Sequence, residues 1–349
     1  MRVFASASAF VVLALGLGPG AAGARAQARE DRWTTPSRAV RYLARVTRTP
    51  DGAPLRVHAA FVDVCDPGVS LRVSSQGERG RTVPGWARRV GASVAINGDY
   101  FDRDTMMPLG PARGNGAWWS NRAREHRDAL LLARQGEGLR LLDGTLSDRV
   151  ELWRDVRRRV DRRWTEVLAA RERILVEGRS RLSPAIRGIV ERHPRTALGI
   201  ADGGRTLVLL VVDGRWSESA GLNATELSGL LRELGATDGV KLDGGGSSTL
   251  FFAATGVVNR PSDGAPRRVA NHLGVVVRPD APTGFASWCT HAGLPSRPWR
   301  YADRGQGGSP AAWGSRLARA LPRPWASGGL LARLLVPPAF LRAATAAAQ

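Results

Sequence analysis

The stretch GVKLDGGGSSTLFF, residues 239–252, runs from alternating apolar residues into three glycines and two serines, then back into apolar residues. Glycine inside a strand costs stability and leaves nothing to pack. The run therefore reads as strand, loop, strand, with a bare main chain that some group must approach. A Walker loop would need a lysine after its last glycine and then a helix, and a dinucleotide fingerprint also needs the helix. A serine-nucleophile elbow needs Gly-x-Ser-x-Gly, and Ser247 and Ser248 lack the second glycine. What remains is a loop whose amides at Gly244, Gly245 and Gly246 approach an anion or a sugar, with the carboxylate of Asp243 at its root. Strand alternation puts Lys241 and Asp243 on one polar face. A lysine there would keep the carboxylate ionised.

Outward from that loop the chain reads mostly as strands. TALGIADGGRTLVLLVVDG, residues 196–214, is strand, Asp-Gly-Gly turn, strand. A helix follows with both ends written out: Asn223 caps it, Glu226 completes a capping box, Leu227, Leu230, Leu231 and Leu234 share a face, and Gly235 stops it. Upstream, residues 27–54 read as an irregular lead-in. Strands are expected from Leu55, a short helix over TVPGWARRVGA (82–92), a buried strand in SVAING (93–98), and hairpins around Gly136 and Gly178. Residues 147–173 are rich in charge, with apolar residues about every four positions, which predicts an exposed basic helical insert. HLGVVV closes the core near Arg278, and residues 279–349 form a Pro/Gly/Ala/Arg-rich tail, expected to be partly disordered. The fold class is α+β, a single mixed-sheet domain of residues 55–278 with few helices and the glycine loop between two strands.

Composition limits the partners. The formal net charge is +20, yet Lys241 is the only lysine among 51 basic residues and the arginines are scattered without aromatic interleaving. Nucleic acid is therefore not expected, whereas an anionic glycan is. Residues 1–26 read as a signal peptide: Arg2, an apolar run over 10–17 too short to span a bilayer, and small residues fitting a cleavage site. The expected location is periplasmic or secreted, with no stable membrane span. Export makes a single bridge between the only two cysteines, Cys65 and Cys289, the expected disulfide. No cofactor is expected, and no metal motif is legible.

Several segments carry a resemblance. INGDYFD (96–102) followed by PLG (108–110) resembles the Asn-Gly-x-Phe-Phe element of the phosphodiester glycosidase family. RTALGI (195–200), VVDGR (211–215), LDGGGSST (242–249) and VVNRPSDGAPRRVANHLGVVV (257–277) resemble further elements of that family, in its order. Two departures stand out: Lys241 occupies a position where the family commonly has Asn, and Asp99 one where Gly or Ala is frequent.

The resemblance implies an exported hydrolase that cleaves the glycosidic bond of a sugar-1-phosphodiester. Such a reaction passes through an oxocarbenium-like state that carboxylates stabilise. Asp243 is the first candidate, with Asp99 and Asp102 competing as the second carboxylate. Arg195 and Arg267 are candidates for the phosphate, since guanidinium pairs with it bidentately. Asn97 is a candidate for a sugar hydroxyl, Asp263 for a substrate contact, and Ser247 for orienting the loop. Plainer readings stand beside these: Asp243 accepting hydrogen bonds from its own turn amides, Asp99, Asp102, Asp263 and Asn97 as turn residues, and Arg195 as a core-edge ion pair. Two other functions stay open, a non-catalytic binder of anionic glycan and a serine hydrolase using Ser247 or Ser248.

Overall fold

The computed structural model describes residues 29–120, 129–134, 138–143, 160, 162–182, 190–294, 296 and 299. The segment expected from the sequence to be a signal peptide, and nearly all of the tail after 294, lie outside these residues.

Three sheets carry the fold. The largest has eight strands in the order Glu30–Ser37, Val40–Arg48, Pro54–Asp63, Thr206–Val212, Arg195–Ala201, Ala236–Lys241, Glu172–Val176 and Arg179–Ser180. A five-stranded sheet holds Ala117–Ser120, Ala112–Gly114, Glu166–Ala170, Ala129–Arg134 and Gly138–Asp143. The third holds Gly256–Val257, Leu250–Phe252, Val94–Asn97, His272–Val277 and Val69–Val73. Every pairing between these strands is antiparallel, which narrows the expected mixed sheet to antiparallel order; the α+β class with few helices holds.

One core joins the three. Leu198, Leu207, Leu209, Val211, Val240 and Leu242 of the largest sheet meet Val94, Ile96, Leu250 and Leu273 of the third and Leu131 and Leu168 of the second. Alternate positions along each strand supply these residues, as a pleated sheet requires. Helix Ala224–Glu233 packs on the far face of the largest sheet, where Gly199 and Gly239 are register partners. A Cβ at Gly239 would lie 2.7 Å from Leu231 Cδ1, so the missing side chain makes room for the helix. The capping box of Asn223 and Glu226 is formed, and the helix over Val83–Val90 ends at Gly91 in the left-handed region.

Three expectations are corrected. The lead-in is not irregular: Glu30–Ser37 and Val40–Arg48 are the edge of the largest sheet. Arg45 faces inward there because Asp31 and Glu233 take its guanidinium at 2.7 and 2.8 Å. The helical insert is not helical in its second half: Glu166–Ala170 is a buried strand paired to Ala129–Arg134, and Glu172–Val176 begins the next. Residues 147–159 and 161 lie outside the described residues. Finally, the ordered chain does not stop at Arg278. Helix Ser287–His291 follows, and Cys289 forms a disulfide with Cys65.

Candidate active site

The glycine loop is stitched to two neighbouring strand ends. The Leu242 amide donates to Thr196 O at 2.9 Å, Asp243 N–H to Gly98 O at 3.1 Å and Gly245 N–H to Pro194 O at 2.9 Å. The loop thus meets the end of Val94–Asn97 on one side and the start of Arg195–Ala201 on the other. Glycine is required by this approach: a Cβ at Gly244 would lie 2.8 Å from Pro194 O, and Gly245 has φ +59°. The sequence pattern points the three glycine amides at an anion. Two are used inside the protein, Gly245 by Pro194 and Gly244 by the Asp243 carboxylate.

Asn97 is the pin of this assembly and does not reach for a sugar. It is fully buried; Nδ2 donates to Asp243 O at 2.8 Å, and Oδ1 accepts from Thr196 Oγ1 at 2.9 Å and Thr249 N at 3.2 Å. Its hydrogen-bonding capacity is spent on positioning.

Asp243 retains some contact with solvent at the residue level, although its carboxyl is enclosed by protein. Burial pushes its pKa up to about 6; the charge of Asp99 adds to the rise, while the Ser247 hydroxyl, Arg267 and the Gly244 amide oppose it. This corrects the expectation that Lys241 holds the carboxyl ionised. Lys241 is buried and turned to Glu172, 2.5 Å from its Oε2 and directly opposite it on the adjacent strand. Asp99 is buried, its amide donates to Asn271 Oδ1 at 2.8 Å, and its Oδ1 accepts from Tyr100 N at 2.8 Å.

Ser247, fully buried, bonds the Asp243 carboxylate and takes Arg267 Nη1 at 3.4 Å. Arg267 in turn grips Asp263, with Nη2 at 2.6 Å and Nε at 2.8 Å from Oδ2. Gly246 backs onto this ion pair, whose two side chains occupy the space a Cβ would need. Asp243, Ser247, Arg267, Asp263 and Asp99 are thereby one array. Among the described residues neither Ser247 nor Ser248 hydrogen-bonds a histidine.

Two candidates behave otherwise than expected. The buried guanidinium of Arg195 donates to main-chain carbonyls, Nε to Leu222 at 2.6 Å and Nη2 to Glu191 at 2.8 Å, and burial lowers its pKa. It braces the wall beside Gly244 in place of presenting a fork to phosphate. Asp102 closes its own turn, with Oδ1 accepting from the amides of Asp104 and Thr105 at 3.1 and 3.0 Å. That is its plainer reading.

Three residues of the family-like segments are not among the candidates named from the sequence. Arg215, at φ +64° and exposed, lays its guanidinium against Gly245, 3.4 Å from where a Cβ would stand. Positive φ in a non-glycine residue is unusual and marks a held conformation. Arg215 ends the VVDGR segment, and the DG turn before it is the local signal in the sequence. Tyr100 lies beside Asp243 and Glu172, and Arg171 and Lys241 flank its ring. His272, by contrast, is structural: it stacks on Trp86 at 4.8 Å, Nε2 donates to Arg81 O at 3.0 Å, and burial lowers its pKa to about 4. Among the described residues no group of three or more His, Cys, Asp or Glu side chains converges as a metal centre would require.

The array is built on sheet ends, with carboxylates facing a guanidinium. The family model for phosphodiester glycosidase matches residues 90–276, more than half of the chain and all of this array. The chain belongs to the phosphodiester glycosidase family, whose activity is of glycosidase type. Among solved structures, the catalytic domain of zebrafish N-acetylglucosamine-1-phosphodiester α-N-acetylglucosaminidase aligns with TM-score 0.54 and 20% identity, over 72% of this chain and 88% of that one. A hypothetical protein from Synechocystis aligns with TM-score 0.53 and 16% identity, over 73% of this chain and 65% of that one. At such identities the likeness speaks for the fold. The SPbeta prophage-derived protein YomE of Bacillus subtilis (strain 168) is 40% identical over 82 residues, which are 24% of this chain and 12% of YomE.

Proposed function

We propose that this protein is an exported phosphodiester glycosidase that hydrolyses the bond between the anomeric carbon of a sugar and the oxygen of a phosphodiester. The observation that carries the reading is the array Asp243–Ser247–Arg267, which sets a carboxylate and a guanidinium on either side of one buried hydroxyl. Above its raised pKa Asp243 is a carboxylate, suited to stabilise positive charge at the anomeric carbon or to attack it. As the C1–O bond breaks, its electron pair leaves with the phosphate oxygen, and water supplies the oxygen that replaces it. The departing phosphate monoester needs its charge met more than it needs a proton. Arg267, tethered by Asp263 and Ser247, and Arg215, held against Gly245, are the cations for that role. Asp99 is the second carboxylate; its charge already bears on Asp243.

Export rests on the N-terminal sequence pattern alone. Among the described residues no helix is long and apolar enough to cross a membrane. The test is a screen of sugar-1-phosphodiesters with detection of released reducing sugar. Turnover by the wild type and its loss in Asp243→Asn are expected. A wild type inert on every such substrate but retaining salt-sensitive binding to anionic polymer would replace the reading with that of a glycan-binding protein.

A further inference from the structure

Tyr100 carries an inference of its own. It sits two residues past Gly98, whose carbonyl takes the Asp243 amide at 3.1 Å. Its main chain is fixed on both sides: the amide donates to Asp99 Oδ1 at 2.8 Å, and the carbonyl accepts from Leu109 N at 2.8 Å. Two cations flank its ring, Arg171 Cζ at 5.4 Å and Lys241 Nζ at 5.9 Å from the centroid, both within cation–π range. Lys241 is neutralised by Glu172 at 2.5 Å; Arg171 lies farther from the same carboxylate, at 3.6 Å.

The hydroxyl is treated differently from the ring. Among the described residues it has no hydrogen-bond partner, although Asp243 and Glu172 are close enough to act on it electrostatically. Burial, with those two charges, pushes the phenol pKa up, so it is a protonated donor at any working pH. A phenylalanine would fill the same place between the cations, and the Asn-Gly-x-Phe-Phe element that this stretch resembles has one. The Tyr100 hydroxyl, which that element lacks, therefore lies on a ring that the departing residue Lys241 flanks. A donor on a half-buried ring, with no protein partner among the described residues, held beside the candidate carboxylate with a guanidinium over its ring, is matched to an anionic oxygen of a ligand.

We propose that Tyr100 contacts the substrate directly, its hydroxyl donating a hydrogen bond to a non-bridging phosphate oxygen while Arg171 supplies the nearby positive charge. The inference rests on the phosphodiester glycosidase reading and names one residue that sets its preference for phosphate.

The test is Tyr100→Phe in the full chain, compared with the wild type and Asp243→Asn on one sugar-1-phosphodiester, with inorganic phosphate as competing inhibitor. A fall in kcat/KM of about 10- to 100-fold is expected, together with weaker inhibition by phosphate and an unchanged thermal midpoint. Unchanged kcat/KM with an inactive Asp243→Asn would overturn the Tyr100 contact and leave the wider reading intact. Unchanged phosphate inhibition would overturn it equally, and so would a loss of activity matched by a loss of thermal stability. A wild type inert on all sugar-phosphodiesters would overturn both.

Discussion

Asn97 and Asp243 stand 146 residues apart in sequence, yet Nδ2 of Asn97 lies 2.8 Å from the main-chain carbonyl of Asp243. The same side chain takes Thr196 and Thr249 on its oxygen. One buried amide thereby fixes where the carboxylate of Asp243 begins. Asn97→Asp replaces a donor with an anion that faces a carbonyl inside the protein. A loss of about 2–4 kcal/mol in urea unfolding is expected, with activity lost alongside. A variant as stable as the wild type would contradict the pinning role.

Asp243 carries a pH signature. Its pKa is raised to about 6 in the folded protein against an ordinary 3.8, so the fold binds this proton more tightly than the unfolded chain does. The contribution is fully present below about pH 4 and is lost as pH rises through 6. Asp243→Asn removes that dependence. The stability of the variant relative to wild type should therefore rise between pH 4 and 7, by an amount on the order of 1–3 kcal/mol. Equilibrium unfolding at both pH values measures it; a difference independent of pH would refute the raised pKa. If the carboxylate is the working form, wild-type kcat/KM should climb with pH through the same window.

The glycine loop is legible in the sequence because three glycines between two apolar runs suit neither a helix nor a continuous strand. The helix of Asn223 to Gly235 is legible because both of its ends carry capping chemistry. What stayed hidden has physical causes. Val160, Trp164 and Leu168 are four apart, a spacing that keeps residues on one face of a helix and equally on one face of a strand. Buried pairing with Ala129–Arg134 decided for strand in Glu166–Ala170. In Val40–Arg48 the inward Arg45 breaks the apolar alternation, and its partners Asp31 and Glu233 are far from it in sequence or on another strand. At the site, Asp243 was legible but not its protonation. Strand alternation places Lys241 beside it, and only the cross-strand partner Glu172 shows where that lysine turns. Asn97 and Arg195 were legible as members of the site, but their work inside the protein depends on contacts no linear pattern records.

Gly246 tests the Asp263–Arg267 pair. Its α-carbon faces both side chains so closely that a Cβ must displace one of them. Arg267 is the flexible partner, so Gly246→Ala should cost only about 1–2 kcal/mol in stability. The same displacement separates Arg267 from Ser247, and kcat/KM should fall by about 10-fold or more. Gly229→Ala is the control, since that helical position has nothing within 4 Å of a new Cβ. It should leave activity unchanged and gain roughly 0.5–1 kcal/mol from helix propensity. Equal activity in Gly246→Ala would show that the placement of Arg267 does not matter to turnover.

The Cys65–Cys289 bridge closes a loop of 224 residues of sequence separation and ties the short helix Ser287–His291 to the end of the strand Pro54–Asp63. Both cysteines are buried, and the Ala286 amide donates to Cys65 O at 2.8 Å beside the bridge. A long loop makes the unfolded chain much freer once the bond is cut. Replacing both cysteines with alanine should therefore destabilise the protein by about 2–5 kcal/mol. Neither cysteine belongs to the Asp243 array, so activity well below the unfolding temperature should persist. Thermal unfolding with and without reductant checks the assignment: reductant should lower the midpoint of the wild type and leave that of the double variant where it is. A wild type indifferent to a reductant that demonstrably frees both thiols would show that the core holds its C-terminal helix without the bridge.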